Sequence, residues 1–232
     1  MSCADFEQLD ASGLNLQAVF NLSELPDGIS AAISKHVGEF AGYRQLILIG
    51  HGGRRMWEAL QASAFTASAD PVDSFSQDLV HRWFADRGNR YEMLYPGDEQ
   101  VVPLQKLGAL AGWHHSSPFR IGINAHWGSW FAYRAVVLAD SDFEPTPPLT
   151  APSPCDSCME KPCIPACPAD ALTGSDASLQ PCIDYRLTGD SRCKDRCFSR
   201  MACPVAVEHK HSMQQLNYHY GRSMQTIEDY YQ

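Results

Sequence analysis

Eight of the nine cysteines in this 232-residue chain lie between residues 155 and 203. The first four are spaced C-x2-C-x4-C-x3-C-P: Cys155, Cys158, Cys163 and Cys167, with Pro168 next. Cys182 then stands alone, followed by Cys193, Cys197 and Cys203, and Pro204 closes this group as Pro168 closed the first. Thiols this dense suit either a disulfide framework in a small secreted chain or a metal site in a reducing compartment. The N-terminus MSCADFEQLDASG is acidic and lacks the basic and apolar regions of a secretory leader, so the expectation is a cytoplasmic protein whose thiols bind metal. Cys3, far from the others, reads as an idle thiol.

The bacterial ferredoxin run is C-x2-C-x2-C-x3-C-P, and in two-cluster ferredoxins its fourth cysteine ligates the other cluster. The middle gap here is two residues longer. A tight loop can still wrap three thiolates around one face of an iron–sulfur cube while the fourth leaves along a segment started by proline. If that exchange holds, Cys155, Cys158, Cys163 and Cys203 hold one [4Fe–4S] cluster, and Cys182, Cys193, Cys197 and Cys167 hold the other. Two readings stay open beside it: one cluster with spare cysteines, and zinc, whose four-cysteine sites also use C-x2-C pairs. Nearby Lys161, Arg192, Lys194 and Arg196 add positive charge that tunes a cluster, docks an acidic partner or forms a solvated rim.

The elements that must position these thiols are legible around them. LNLQAVFNL (14–22) reads as a strand, DGISAAISKHVGEF (27–40) as a helix and RQLILIG (44–50) as a buried strand. RRMWEALQAS (54–63) reads as a helix. So does DPVDSFSQDLVHRWFADR (70–87), with Pro71 in its first turn and Phe75, Leu79 and Trp83 four apart. YEMLYP (91–96) reads as a short strand and PLQKLGALAGW (103–113) as a helix. RIGINA (120–125) and WFAYRAVVLAD (130–140) read as adjacent strands. SDFEPTPPLTAPSP (141–154) is a proline-rich connector that supports neither a regular helix nor a central strand. Met213, Leu216, Tyr220, Met224, Ile227 and Tyr230 place one apolar face on a final helix, interrupted by Gly221. The domains expected are 1–140, a linker at 141–154, a cluster domain at 155–207 and a helix at 208–232.

The net charge of -9, with an isoelectric point near 5.4, argues against a nucleic-acid partner and an anionic membrane. No apolar run reaches the length of a membrane span.

Five segments add a resemblance. INAHWGSWFAYRAVVLAD (123–140) resembles the HPxxGxWFAxRGVVLL segment of cobalamin-processing proteins of the CblC type. LILIGHGGRRMWEAL, DPVDSFSQDLV and PLQKLGALAGW are similar to the same group. CIDYRLTGDSRCKDRC, after a CP motif, resembles the iron–sulfur half of epoxyqueuosine reductase, which like the reductive dehalogenases joins a nitroreductase-like cobalamin domain to two [4Fe–4S] clusters. The resemblance implies an α+β chain: a nitroreductase-like α/β sandwich, a small ferredoxin-like domain with two clusters, and a C-terminal helix. It also admits a homodimer. The HP of the first pattern falls on Asn124–Ala125, with His126 two residues along. No residue matches the proton donors of the dehalogenases or of epoxyqueuosine reductase, and the tRNA-binding extension of the latter has no counterpart.

Within the first domain, Gly50, Gly52 and Gly53 follow an apolar run where backbone can approach a ligand, or simply turn from strand to helix. Trp127, Gly128 and Trp130 set small residues between rings, which suits a flat macrocycle, an isoalloxazine or an aromatic core. His114, His115 and His126 offer polar contacts to a ligand or to solvent. No D-x-H-x-x-G motif is present to ligate cobalt. The function expected is a corrinoid-binding oxidoreductase in which clusters reaching about -400 mV or lower reduce cobalamin or remove its upper ligand. A soluble donor (flavodoxin, ferredoxin or a reductase) would supply the electrons. The rivals are an FMN-dependent reductase on the same scaffold, a ferredoxin-type electron carrier without corrinoid, and a zinc-stabilised interaction protein.

Overall fold

A computed structural model describes residues 5–37, 40, 42–97, 102–173 and 178–231. Cys3 lies outside them. The chain divides into two compact units, Met1–His114 with Phe131–Ala151 and His115–Trp130 with Pro152–Gln232.

The first unit is built on apolar runs. Leu46 to Ile49 and Ala135 to Ala139 carry no polar residue, so these segments need burial on both faces. They form the two central strands, β2 (Gln45–Gly52) and β4 (Phe131–Ala139). β1 (Leu16–Asn21) and β3 (Tyr91–Tyr95) flank them in the order β1-β2-β4-β3. Every pairing is antiparallel, with Leu16 opposite Gly50, Ile47 opposite Val137 and Glu92 opposite Leu138. The helices are α1 (Glu7–Ala11), α2 (Asp27–Val37), α3 (Arg55–Gln61), α4 (Pro71–Ala85) and α5 (Leu104–Leu110). In α4 the spacing of Val72, Phe75, Leu79, Val80 and Trp83 buries one face, as the sequence requires. Trp83 stacks on Phe6 with ring centroids 5.1 Å apart, and its Nε1 donates to the Asp5 carbonyl at 2.8 Å.

The proline-rich connector is irregular but anchored. Gln45 is buried, and its Oε1 accepts from Ser141 Oγ (2.7 Å) and the Phe143 amide (2.9 Å) while its Nε2 donates to the Phe143 carbonyl (2.7 Å). Further on, the Thr146 amide bonds Val19 O and the Leu149 amide bonds Ala111 O.

The second unit has α6 (Gln180–Leu187), α7 (Phe198–Ala202) and α8 (Met213–Tyr231), and no β-strand among its described residues. RIGINA, expected to be a strand beside β4, is a loop with two isolated bridges, His115 to Ile123 and Asn124 to Gly128. Arg120 takes a positive φ of 62° and Asn124 Oδ1 caps the Trp127 amide at 2.7 Å, so the segment turns before a ladder can form. Its alternating Phe119, Ile121 and Ile123 pack against cysteines instead of a second strand. α8 runs through Gly221 unbroken and buries Leu216 and Met224, while Met213 and Tyr230 at its ends are exposed. No helix of the described residues is long and apolar enough to cross a membrane.

Candidate metal centre

All eight cysteines of the second unit are free thiols. Their closest electrostatic neighbours sort them into two groups. Cys155 and Cys163 face Cys203, each other and Cys158, and Cys203 faces Cys158. Cys182 and Cys193 both face Cys197 and Cys167. Two segments cross between the groups. One is the tight turn from Cys163 to Cys167, closed by the Cys167 amide on Ile164 O at 3.2 Å. The other is α7, whose N-cap is Cys197 and whose C-cap is Cys203. Five helical residues therefore hold one thiol of each group at fixed separation.

The two surroundings differ. Cys163 and Cys203 sit in an apolar cluster with Phe119 and Ile123, against which Cys155, Ile121, Ile164, Leu172 and Val205 pack. Cys167, Cys182, Cys193 and Cys197 instead all line a cavity of about 300 Å³. Burial raises the thiol pKa at Cys155, Cys163, Cys182 and Cys203, and pushes Cys193 up to about 11. Without metal these groups are neutral thiols at pH 7, so metal loading must release protons. Backbone amides already point at sulfur: the Arg200 N–H donates to Cys197 Sγ at 3.5 Å. Among the described residues, no three His, Cys, Asp or Glu side chains are arranged to hold one metal ion. A single tetrahedral zinc needs its four ligands within about 2.3 Å of one point, whereas a multinuclear cluster spreads its thiolates further apart.

Sequence reasoning missed three residues beside the second group. Arg186 is buried; its Nε donates to the Cys193 carbonyl (3.2 Å), Nη1 to Ser223 Oγ (3.0 Å) and Nη2 to the Tyr220 carbonyl (2.9 Å), pinning α8 to the cysteine loops. Its charge also opposes the burial effect on Cys182. Arg200 is buried too, bonded to Ser129 and lying 4.6 Å from the Trp130 ring centroid. The Tyr220 hydroxyl is buried and faces both Arg200 and Cys197. The available signal was spacing: Arg186 is one helical turn past Cys182, and Arg200 is three residues past Cys197. Of the cations nominated from sequence, Arg196 lines the same cavity. Lys161 is exposed, Arg192 stacks over Phe198 at 4.6 Å, and Arg196 pairs with Asp195 at 2.7 Å; Lys194 is half-buried.

The residues nominated for a corrinoid or flavin divide between the units. Gly50, Gly52, Gly53 and His114 belong to the first; His115, His126, Trp127, Gly128 and Trp130 belong to the second. What approaches Gly50 is the sheet itself: an added Cβ would lie 2.8 Å from the Ala132 carbonyl. Both backbone groups of Gly52 are taken by the Asn15 amide, at 2.7 and 3.2 Å. Gly53 turns the chain at φ 74°. His114 Nδ1 meets Tyr133 Oη at 3.2 Å. His115 Nε2 is buried without a hydrogen-bond partner. Gly128 holds φ 57°, and an added Cβ would lie 2.5 Å from the Val205 carbonyl, so it admits the CP segment that follows Cys203. Trp130 is fully buried beneath Arg200 and Lys210. His126 and Trp127 form an aromatic trio with His209, the Trp127 and His209 centroids 4.4 Å apart. None of the nine lines the thiol cavity or the groove of about 160 Å³ beside Val19, Leu110 and Pro145 in the first unit.

No protein-family model and no curated protein sequence matches the chain. Solved structures do. The fold is similar to that of epoxyqueuosine reductase. The enzyme from Streptococcus thermophilus aligns with a TM-score of 0.52 at 14% identity, covering 86% of this chain and 64% of that one. Epoxyqueuosine reductase solved with a tRNA-Tyr epoxyqueuosine-modified stem loop aligns at 0.54 and 15% identity, over 91% of this chain and 67% of that one. This chain thus spans less than two thirds of the Streptococcus reductase. The B12-trafficking protein CblC of C. elegans aligns at 0.47 and 12% identity, over 91% and 88%. The mixed α/β first unit with its four-stranded antiparallel sheet is in keeping with the reductase fold.

Proposed function

We propose that this chain is an iron–sulfur redox protein in which Cys155, Cys158, Cys163 and Cys203 hold one [4Fe–4S] cluster and Cys167, Cys182, Cys193 and Cys197 hold the second. The observation that carries the reading is the exchange of partners: Cys203 faces Cys155 and Cys163, and Cys167 faces Cys182 and Cys193, across long stretches of sequence. The ferredoxin-like character proposed for this unit lies in that exchange. Bound clusters supply one-electron transfer at low potential. The chain's own residues hold the thiolates in two preset groups, keep the first in an apolar shell and set donors around the second.

A bound corrinoid in a cytoplasmic setting is the acceptor we propose, supported by the fold shared with epoxyqueuosine reductase. The second reading is an electron carrier that hands electrons to a partner, supported by the gathering of all eight thiols in one unit. Net charge does not exclude a nucleic-acid partner. A reductase of this fold was solved with a tRNA stem loop, and the acidic excess is uneven: the first unit carries nine basic and seventeen acidic residues, the second nine and ten.

Anaerobic reconstitution with counts of iron, sulfide and zinc, followed by titration with hydroxocobalamin, tests both. About eight irons per chain and a shift of the corrinoid bands at equimolar cobalamin are expected. Eight irons without the shift leave the electron carrier, and zinc in place of iron overturns the proposal.

A further inference from the structure

Resting on the two-cluster reading, we propose that Arg186, Arg200 and Tyr220 make the Cys167/Cys182/Cys193/Cys197 group the electron-accepting end of the pair, with electrons entering at the Cys155/Cys158/Cys163/Cys203 group. Reduction of a cluster adds negative charge to a site already ringed by thiolates. Cations and hydrogen-bond donors close to the sulfurs stabilise that charge, and an apolar shell does not; net charge, hydrogen bonding and exposure are the levers that set such potentials.

The two groups differ most in the cations beside them. Around the accepting group, Arg186 and Arg120 both act on Cys182, and the Arg200 amide is bonded to Cys197. The Tyr220 hydroxyl is buried beside Cys197 and Arg200. Loading makes that sulfur anionic and the hydroxyl its charge-assisted donor. Around the entry group, the shell is Phe119, Ile121, Ile123, Ile164 and Val205, of which Phe119 and Ile121 also line the cavity of the accepting group. Lys210 near Cys203 is opposed by Asp156 near Cys155.

A buried arginine also has fixed geometry. Arg186 makes three hydrogen bonds to protein groups, so its charge does not swing away on reduction. The step is a transfer of one electron from the entry cluster to the accepting cluster. No bond forms or breaks and no proton moves. A one-electron reductant outside the chain supplies the electron.

The test is an EPR-monitored redox titration of the reconstituted full chain. Wild type is expected to show two cluster potentials. Arg186→Gln should shift only the higher one downward, changing the reduced-to-oxidised ratio at fixed poise on the order of tenfold, about 59 mV for one electron. Arg186→Lys, which keeps the charge, should restore most of it. Tyr220→Phe, which removes the donor and little volume, should shift the same cluster severalfold with iron content unchanged. Equal potentials in wild type, or Arg186→Gln and Tyr220→Phe proteins with full iron and unshifted potentials, would overturn the inference. A wild type that binds about four irons or none would instead overturn the two-cluster reading beneath it.

Discussion

The two units keep their backbones in order by different means. In the first, the described residues with positive φ are glycines alone; in the second, Arg120, Lys161, Asp170 and Ala206 also adopt left-handed conformations. Such conformations cost on the order of 1 kcal/mol or more each outside glycine and persist only where the surroundings dictate them. The apolar cores differ in parallel. Of the buried apolar residues described, 33 lie in the first unit and eight in the second, and three of those eight are cysteines. A sheet with a core specifies itself. A set of loops with little core needs something at the thiols to hold it. The comparison extends the proposal: metal is part of the second unit's fold and no part of the first's.

Removing metal tests this most severely. Anaerobic chelation should abolish hydrogen-exchange protection of α6 and α7 and across 155–203, while β2 and β4 keep theirs, because ligand binding is folding energy where no core replaces it. Equal protection of both units after iron loss would break the comparison.

A sharper effect comes from single thiols. Cys203→Ser should lower bound iron from about eight to about four by removing the cluster of Cys155, Cys158 and Cys163, although Cys203 lies only six residues from Cys197. The surviving cluster should still respond to Arg186→Gln. If the surviving cluster has lost its sensitivity to Arg186, the groups follow sequence order and the exchange is wrong.

Much of this was readable in the residues, and the failures have physical causes. β2, β4 and α4 followed from apolar runs and from spacings of three and four, because their burial is their own. The strand expected at 120–125 was not found: the alternation of Phe119, Ile121 and Ile123 records packing on thiols, and period two alone does not say against what. The connector ended the regular structure as its prolines require, yet the grip of Gln45 on Ser141 and Phe143 bridges almost a hundred residues and has no local signature. Arg186 and Arg200 look like surface charge in sequence. Only the fold turns them inward, because α8 closes over one and the 115–130 excursion meets the other.

Two substitutions compare how the units are stapled. Gln45→Ala strands the Ser141 hydroxyl and the Phe143 backbone, and should destabilise the first unit by about 1–3 kcal/mol with iron content intact. Gly128→Ala forces a Cβ against the Val205 carbonyl at positive φ, and should cost about 1–3 kcal/mol, expressed as faster iron loss. Thermal unfolding and iron-release rates, measured on both, should move in opposite pairings; iron loss from Gln45→Ala would blur the division.

The smallest effect is one of pH, and its sign separates the units again. In the metal-free chain, burial holds the thiols of Cys155, Cys163, Cys182 and Cys203 above their ordinary value of 9.0, and that of Cys193 at about 11. A raised pKa means that folding favours the protonated thiol. That contribution is fully present below pH 9 and is lost as pH rises from 9 through about 11. Loading removes the dependence, since ligated thiolates carry no proton to lose. The described residues of the first unit contain no cysteine, and its raised groups are the tyrosines Tyr43, Tyr95 and Tyr133, held up chiefly by burial, whose loss begins only above the ordinary tyrosine value of 10. Hydrogen exchange of the metal-free chain at pH 8 and 9.5 should therefore show whatever structure the second unit retains weakening first, and the loaded chain should show no difference between those two values. A first unit that weakens equally over that interval would mean the thiols are not the titrating groups.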